Sequence, residues 1–324
     1  GDVVADLRVK DEVHSVGTDP RDASSGADHS YDGFCVCHLS ILVTRIQEIR
    51  RAGIITGTYY RISRQCPGFI GTFQEFRTMR ALILSDIHAN LEALDAVLED
   101  AQARGGFDVI WCLGDTVGYG PDPCACIDRI REFELVAVAG NHDHAAVGLI
   151  DASDFNDAAK FAAKWTAKQV DSEQSDYLKS LPMVSVRDQF TLVHGSLRDP
   201  IVEYLLDRNS AAGTLALMET SYCLVGHSHI PFLCCEIEED PENPQFTEFP
   251  EDEPVALGHE RRIINPGGVG QPRDRDSRPS YAIFDSDQTA IQRHRVTYDI
   301  AKTQEKMKAA DLPVHLIDRL DHGI

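Results

Sequence analysis

The chain has 324 residues, 43% of them hydrophobic, enough for one large domain or two ordinary ones. It carries 52 Asp and Glu against 31 Lys and Arg, a formal net charge of -21, which argues against the clustered cations of a long nucleic-acid partner. No apolar run reaches the ~18 residues of a membrane span and the start lacks a secretory pattern, so a cytoplasmic protein without a membrane partner is expected.

Residues 1–78 read as an N-terminal extension, partly disordered. Positions 1–33 are rich in Asp, Ser and Gly. Leu39, Leu42, Val43, Ile46 and Ile49 then keep helical spacing. Cys35-Val-Cys37 has no second pair to complete a zinc site, and the nine scattered cysteines do not suggest a disulfide framework.

At Met79 the pattern becomes regular, and the functional domain is placed at 79–324. Strands at Ala81–Leu84, Val109–Leu113 and Leu135–Val138 alternate with helices at Leu91–Ala103 and near Ile127–Phe133. This alternation implies a parallel sheet with right-handed crossovers. Residues 154–181 read as helical, with Phe161, Ala162 and Trp165 on one side. Further strands are expected at Phe190–Val193, Cys223–Val225, Pro231–Glu236, Arg262–Ile264, Tyr281–Phe284 and Ile291–Thr297. The acidic run between Glu236 and Pro254 reads as a solvated loop.

The chemistry-bearing residues sit just after the strands, where open α/β sheets bind ligands. They are Asp86 and His88, then Asp115, then Asn141-His142-Asp143, then His194, then His227 and His229. On an extended backbone, residues two apart point to one side, which would pair Asp86 with His88 and His227 with His229. Imidazole and carboxylate without thiolate suit manganese, iron, nickel or zinc in a reactive rather than a structural site. Seven donors are too many for one tetrahedral ion and suit two divalent ions sharing a bridge. Asp115 is the natural bridge because a carboxylate has two oxygens. With Asp86, Asp115 and a hydroxide as the anions, two divalent ions leave a positive site that attracts phosphate despite the acidic chain.

The order D-x-H, G-D-x-x-G, G-N-H-[DE], H and G-H-x-H resembles the calcineurin-like metallophosphoesterase superfamily. The phrases Gly114–Pro121 and Asn265–Arg273 are similar to its small prokaryotic phosphoesterase branch. The resemblance implies a four-layer α/β/β/α sandwich, two mixed sheets face to face with helices outside. It implies Asp86, His88, Asp115 and His229 around one metal, and Asp115, Asn141, His194 and His227 around a second, with manganese foremost. Hydrolysis of phosphate mono- or diesters by a metal-bridging hydroxide would follow, with His142 as general acid on the leaving-group side. Asp143 would either orient His142 or cap a turn.

Asn90, Arg198 and Arg273 are candidate contacts to substrate phosphate, although a helix N-cap already accounts for Asn90 and a solvated surface is the more ordinary place for each arginine. Cys124 and Cys126 are candidates for the pocket wall. The expected partner is a small phosphate ester, a nucleotide or a phosphoprotein. A catalytically silent interaction scaffold of the same fold and a nuclease are the competing functions. The sequence leaves oligomeric state open.

Overall fold

Residues 78–324 are described in a computed structural model; the tail and helix expected before Met79 lie outside the described residues. The strands in chain order are β1 (Arg80–Leu84), β2 (Val109–Cys112), β3 (Leu135–Ala137), β4 (Val184–Arg187), β5 (Phe190–Val193), β6 (Tyr222–Leu224), β7 (Phe232–Cys235), β8 (Gln245–Thr247), β9 (Pro254–Ala256), β10 (Arg262–Asn265), β11 (Ser280–Asp285) and β12 (Ala290–Arg295). The helices are α1 (Leu91–Ala103), α2 (Pro123–Ile130), α3 (Asn141–Ala146), α4 (Asp157–Thr166), α5 (Ser172–Ser180), α6 (Arg208–Leu217), α7 (Ile300–Ala309) and α8 (Val314–Asp318).

The strands form two six-stranded sheets, ordered β3-β2-β1-β11-β12-β9 and β4-β5-β6-β10-β7-β8. Strands β1, β2 and β3 are parallel, as the alternation predicts, while β11 joins β1 antiparallel. In the second sheet β5, β6 and β10 are parallel, and β4 and β7 are antiparallel to their neighbours. Both sheets are therefore mixed.

Side-chain alternation explains the layers. On β1, Ala81 and Ile83 face a core shared with Phe190, Leu192, Leu224 and Ile264 of the other sheet. Leu82 and Leu84 face the opposite way, onto Leu94, Val97 and Leu98 of α1. The second sheet repeats the pattern: Val193, Cys223 and Ile263 pack with Ala211 and Leu215 of α6. The result is the expected α/β/β/α sandwich.

Three expectations change. The run 236–254 is not a free loop: β8 pairs with β7, and Phe249 is fully buried between the sheets. Its acidic residues mask two aromatics that the core takes up. Residues 154–181 form two helices, because Asp171 accepts the Gln174 N–H as the N-cap of α5 and so restarts the chain. On α4 the buried face is Ala159, Ala162 and Ala163, whereas Phe161 is exposed. Helices α6, α7 and α8 and strand β4 add to the expected elements. No helix among the described residues is long and apolar enough to cross a membrane.

Candidate metal centre and pocket

The loops after β1, β2, β3, β5 and β6 meet at the carboxyl ends of the parallel strands. Backbone bonds tie the first two loops together: Asp86, His88 and Ala89 donate to the carbonyls of Gly114, Asp115 and Thr116. The loops approach so closely that a Cβ on Gly140 would lie 2.1 Å from Asp115 Oδ1, and one on Gly226 would lie 1.9 Å from Ser85 Oγ. These two positions accept glycine alone for steric reasons.

One expectation about local geometry fails here. Asp86, His88, Asp115, His227 and His229 are not on extended backbone; each has φ between 48° and 63°. Non-glycine residues are uncommon in this left-handed region, and such strain concentrates at functional sites. The side chains converge nonetheless, through the turns.

They converge as two buried clusters. Asp86, His88 and His229 form one, and Asp115, His194 and His227 the other; within each the donor atoms lie within 4.8 Å of one another. Asp115 stands between them: its Oδ2 is 3.7 Å from His88 Nε2 and 3.4 Å from His194 Nε2. Asn141 joins the second cluster, with Oδ1 3.1 Å from His194 Nε2. All seven expected metal-binding residues are thus brought together.

The outer hydrogen bonds decide the histidine tautomers. His88 Nδ1 faces the Val117 carbonyl, His194 Nδ1 that of Leu113, His229 Nδ1 that of Gln271, and His227 Nε2 that of Val202. A carbonyl only accepts, so each facing nitrogen carries the hydrogen, and in a neutral ring the other nitrogen is a bare lone pair. Those four lone pairs point inward. His88 Nε2 lies 3.1 Å from His229 Nε2, and His194 Nε2 lies 3.1 Å from His227 Nδ1. Facing lone pairs repel unless a proton or a cation stands between them. Asp86 Oδ1, fully buried, lies 3.1 Å from His229 Nε2, whose ring carries its hydrogen on the Gln271 side, and so has no hydrogen-bond donor. An orphaned carboxylate oxygen and four convergent imidazole lone pairs fit metal ions.

Charge points the same way. Burial raises the carboxyls of Asp86 and Asp115, but the histidines around them outweigh it and hold both well below the usual range. Burial lowers the imidazoles of His88, His227 and His229. His194 is also opposed by burial, yet the Asp115 carboxylate pushes it up to about 9. A proton on His194 answers the two carboxylates only in part, and a metal ion would displace it and free the inward lone pair of that ring.

Comparison with known proteins agrees. The profile of the calcineurin-like phosphoesterase superfamily domain matches residues 79–289. The chain belongs to the calcineurin-like phosphoesterase superfamily. An uncharacterized protein of Methanocaldococcus jannaschii is 38% identical over 251 residues, covering 74% of this chain and 97% of the relative. A metallophosphoesterase from Sphaerobacter thermophilus is 44% identical, covers 76% of this chain and all of its own, and superposes with a TM-score of 0.69. A symmetrical bis(5'-nucleosyl)-tetraphosphatase of Glaesserella parasuis is 28% identical over 124 residues, covering 37% of this chain and 45% of its own.

In this calcineurin-like chain the clusters open into a cavity of about 540 Å³. His142, the second residue of α3, lines it. Its ring is packed against Tyr119 and Phe155, with centroids 4.3 and 5.1 Å away, and its buried Nδ1 has no partner. Burial brings its imidazole down to about 4, against the pull of the Asp115 carboxylate.

Asp143 does not orient His142. Its carboxylate accepts the N–H groups of Val117 and Gly140, fastening the Asp115 loop to the start of α3. It is the cap. Asn90 is also structural: it accepts from Ala93 N–H and Thr303 Oγ1, donates to the Gly270 carbonyl and lies near Tyr298 OH. Arg198 is held by Glu203 and does not line the cavity. Arg273 does line it. Cys126 is on the buried face of α2, and Cys124 Sγ donates to the Gln169 carbonyl; neither reaches the cavity. Sequence reasoning missed Tyr204, whose ring stacks 3.8 Å from that of His227, and Phe155. Only the folded chain brings them to the site.

Proposed function

We propose that the protein is a metal-dependent phosphoester hydrolase acting on small phosphate mono- or diesters, with a divalent ion in each cluster. Asp86, His88, Asp115 and His229 would hold one, and Asp115, Asn141, His194 and His227 the other. The observation that carries this reading is the pair of buried donor triads with the Asp115 carboxylate between them. When bound, two divalent ions supply an activated water and neutralise charge on the phosphoryl oxygens. Manganese is the proposed metal; iron, nickel and zinc suit the same nitrogen and oxygen donors.

The chain's own residues do the rest. His88, His194, His227 and His229 are fixed in tautomer by backbone carbonyls, so no reorganisation is needed at the moment of reaction. His142 donates a proton to the departing alkoxide. Its ring is held on one side by Tyr119 and on another by Phe155, and an incoming anionic substrate favours its charged form against the burial that brings it down to about 4. A tetraphosphatase and a bacterial serine/threonine phosphatase among the partial relatives accord with hydrolysis at phosphorus in a phosphorylated substrate.

In the manganese-loaded protein, His142→Gln retains wild-type metal content and loses ~10²–10⁴-fold in turnover, most on alkyl esters with poor leaving groups. Bis(p-nitrophenyl) phosphate, p-nitrophenyl phosphate and an alkyl ester form the panel. Equal turnover of wild type and variant on the alkyl ester rejects the acid role. No turnover by wild type on any ester favours the scaffold instead.

A further inference from the structure

The cavity is larger than a phosphate group needs, and its walls away from the clusters are mainly aromatic and aliphatic. Tyr119, Phe155 and Tyr204 line it together with Ile150 and Val202. Tyr204 is 47% exposed although it stacks on His227, so much of the ring remains available to a ligand. Asp151, an acid on the rim, is engaged as a cap by the Ser153 N–H.

One guanidinium enters this wall. In a chain of net charge -21, Arg198, Arg261, Arg278 and Arg295 each hold a carboxylate. Arg273 holds none among the described residues. Its Nη2 reaches the Gln271 Oε1 at 3.2 Å and lies 3.5 Å from Tyr119 OH, its guanidinium carbon sits 5.8 Å from the Tyr119 ring centre, and its Nε is buried without a partner. A guanidinium that lines the cavity, with a buried nitrogen unpartnered and no carboxylate to hold it, is arranged for an anion supplied from outside.

We propose, resting on the phosphoesterase reading above, that this pocket selects nucleotides: Arg273 grips a phosphate oxygen and Tyr204 stacks on the base. The cation and the aromatic ring recognise two ends of one amphipathic ligand, anionic at one end and planar at the other. Stacking accepts any base, because every base has a π-face. Arg273 offers a planar fork that a lysine cannot reproduce.

The test compares adenosine 5'-monophosphate with glycerol 3-phosphate, each also as its methyl diester. The pairs are esters of primary alcohols and differ chiefly in the nucleoside. Wild type is expected to prefer the nucleotide in kcat/KM, and Tyr204→Ala to reduce that preference about five- to a hundredfold, mainly through KM, with Tyr204→Phe restoring it. Arg273→Gln is expected to raise KM about tenfold or more for either ester, with Arg273→Lys recovering only part. Calorimetric binding of adenosine 5'-monophosphate to the manganese-loaded proteins should follow the same order, and metal content should equal wild type throughout. An undiminished nucleotide preference in Tyr204→Ala, or a wild type with no preference, overturns the stacking. Unchanged KM in Arg273→Gln overturns the grip, and lost metal in either variant reassigns its residue to the metal centre. Absence of turnover on all four esters overturns the phosphoesterase reading itself.

Discussion

At the residue scale, the centre is built from groups whose ordinary preferences have been overridden. Five of its side chains stand on left-handed backbone, a conformation costing of order 1–3 kcal/mol at each residue and kept only where surroundings dictate it. The backbone bonds between the first two loops and the two carboxylate bonds of Asp143 supply those surroundings for Asp86, His88 and Asp115, and the His227 N–H donates to Asp86 Oδ2 to tie in the last turn. Residue identities after the strands were legible in the sequence because strand ends are where ligands collect. Their roles were less so. Asp143 follows His142 directly, yet on α3 its carboxylate turns back to the Gly140 N–H, so sequence adjacency says nothing about contact. Asn90 is consumed by capping and by Thr303 of α7, more than two hundred positions away. Arg198 and Arg273 look alike in sequence; only the structure shows that Glu203 holds the first.

At the element scale, strands with clean alternation were legible and helices with small buried faces were not. Helix α6 buries Ser210, Ala211, Thr214 and Leu215, which give little hydrophobic contrast, although the Asp207 cap is a readable start. Helix α7 buries Thr303 and Met307, four apart, beneath a polar surface. It is fastened to α1 by Lys302 and Lys306, whose ammoniums lie 3.1 and 2.7 Å from Glu92, and Lys306 also reaches Asp122. That junction bears on the site, since α1 begins immediately after the His88 turn. Burial alone would raise the Glu92 carboxyl, but Lys306 and Lys302 hold it below its ordinary 4.5. A carboxyl made more acidic by folding stabilises the protein above its ordinary pKa and loses that contribution as pH falls through the lower folded value. Glu92→Gln is therefore expected to cost about 1–2 kcal/mol at pH 7. In denaturant titrations the gap to wild type should narrow below about pH 4. A gap that stays constant down to pH 3 contradicts this account of the junction.

At the scale of the whole molecule, two mixed sheets bring the ends of five strands from both halves of the chain to one point. The first three strands carry Asp86, His88, Asp115 and Asn141, and the second sheet carries His194, His227 and His229, so neither sheet holds a complete cluster. We propose that the functional domain begins at Met79, whose N–H donates to Ser286 Oγ at the start of β1. A chain starting at Met79 should fold and keep its turnover; loss of either assigns residues 1–78 a part in the domain. The convergence also makes metal binding a property of the folded sandwich rather than of any one motif. Metal content per chain, measured by plasma mass spectrometry after loading with manganese and removal of excess, tests this most directly. The account predicts two ions per folded chain, one for each cluster, and loss of binding in Asp115→Ala. A chain that retains no ion, or an Asp115→Ala variant that still holds both, would contradict it.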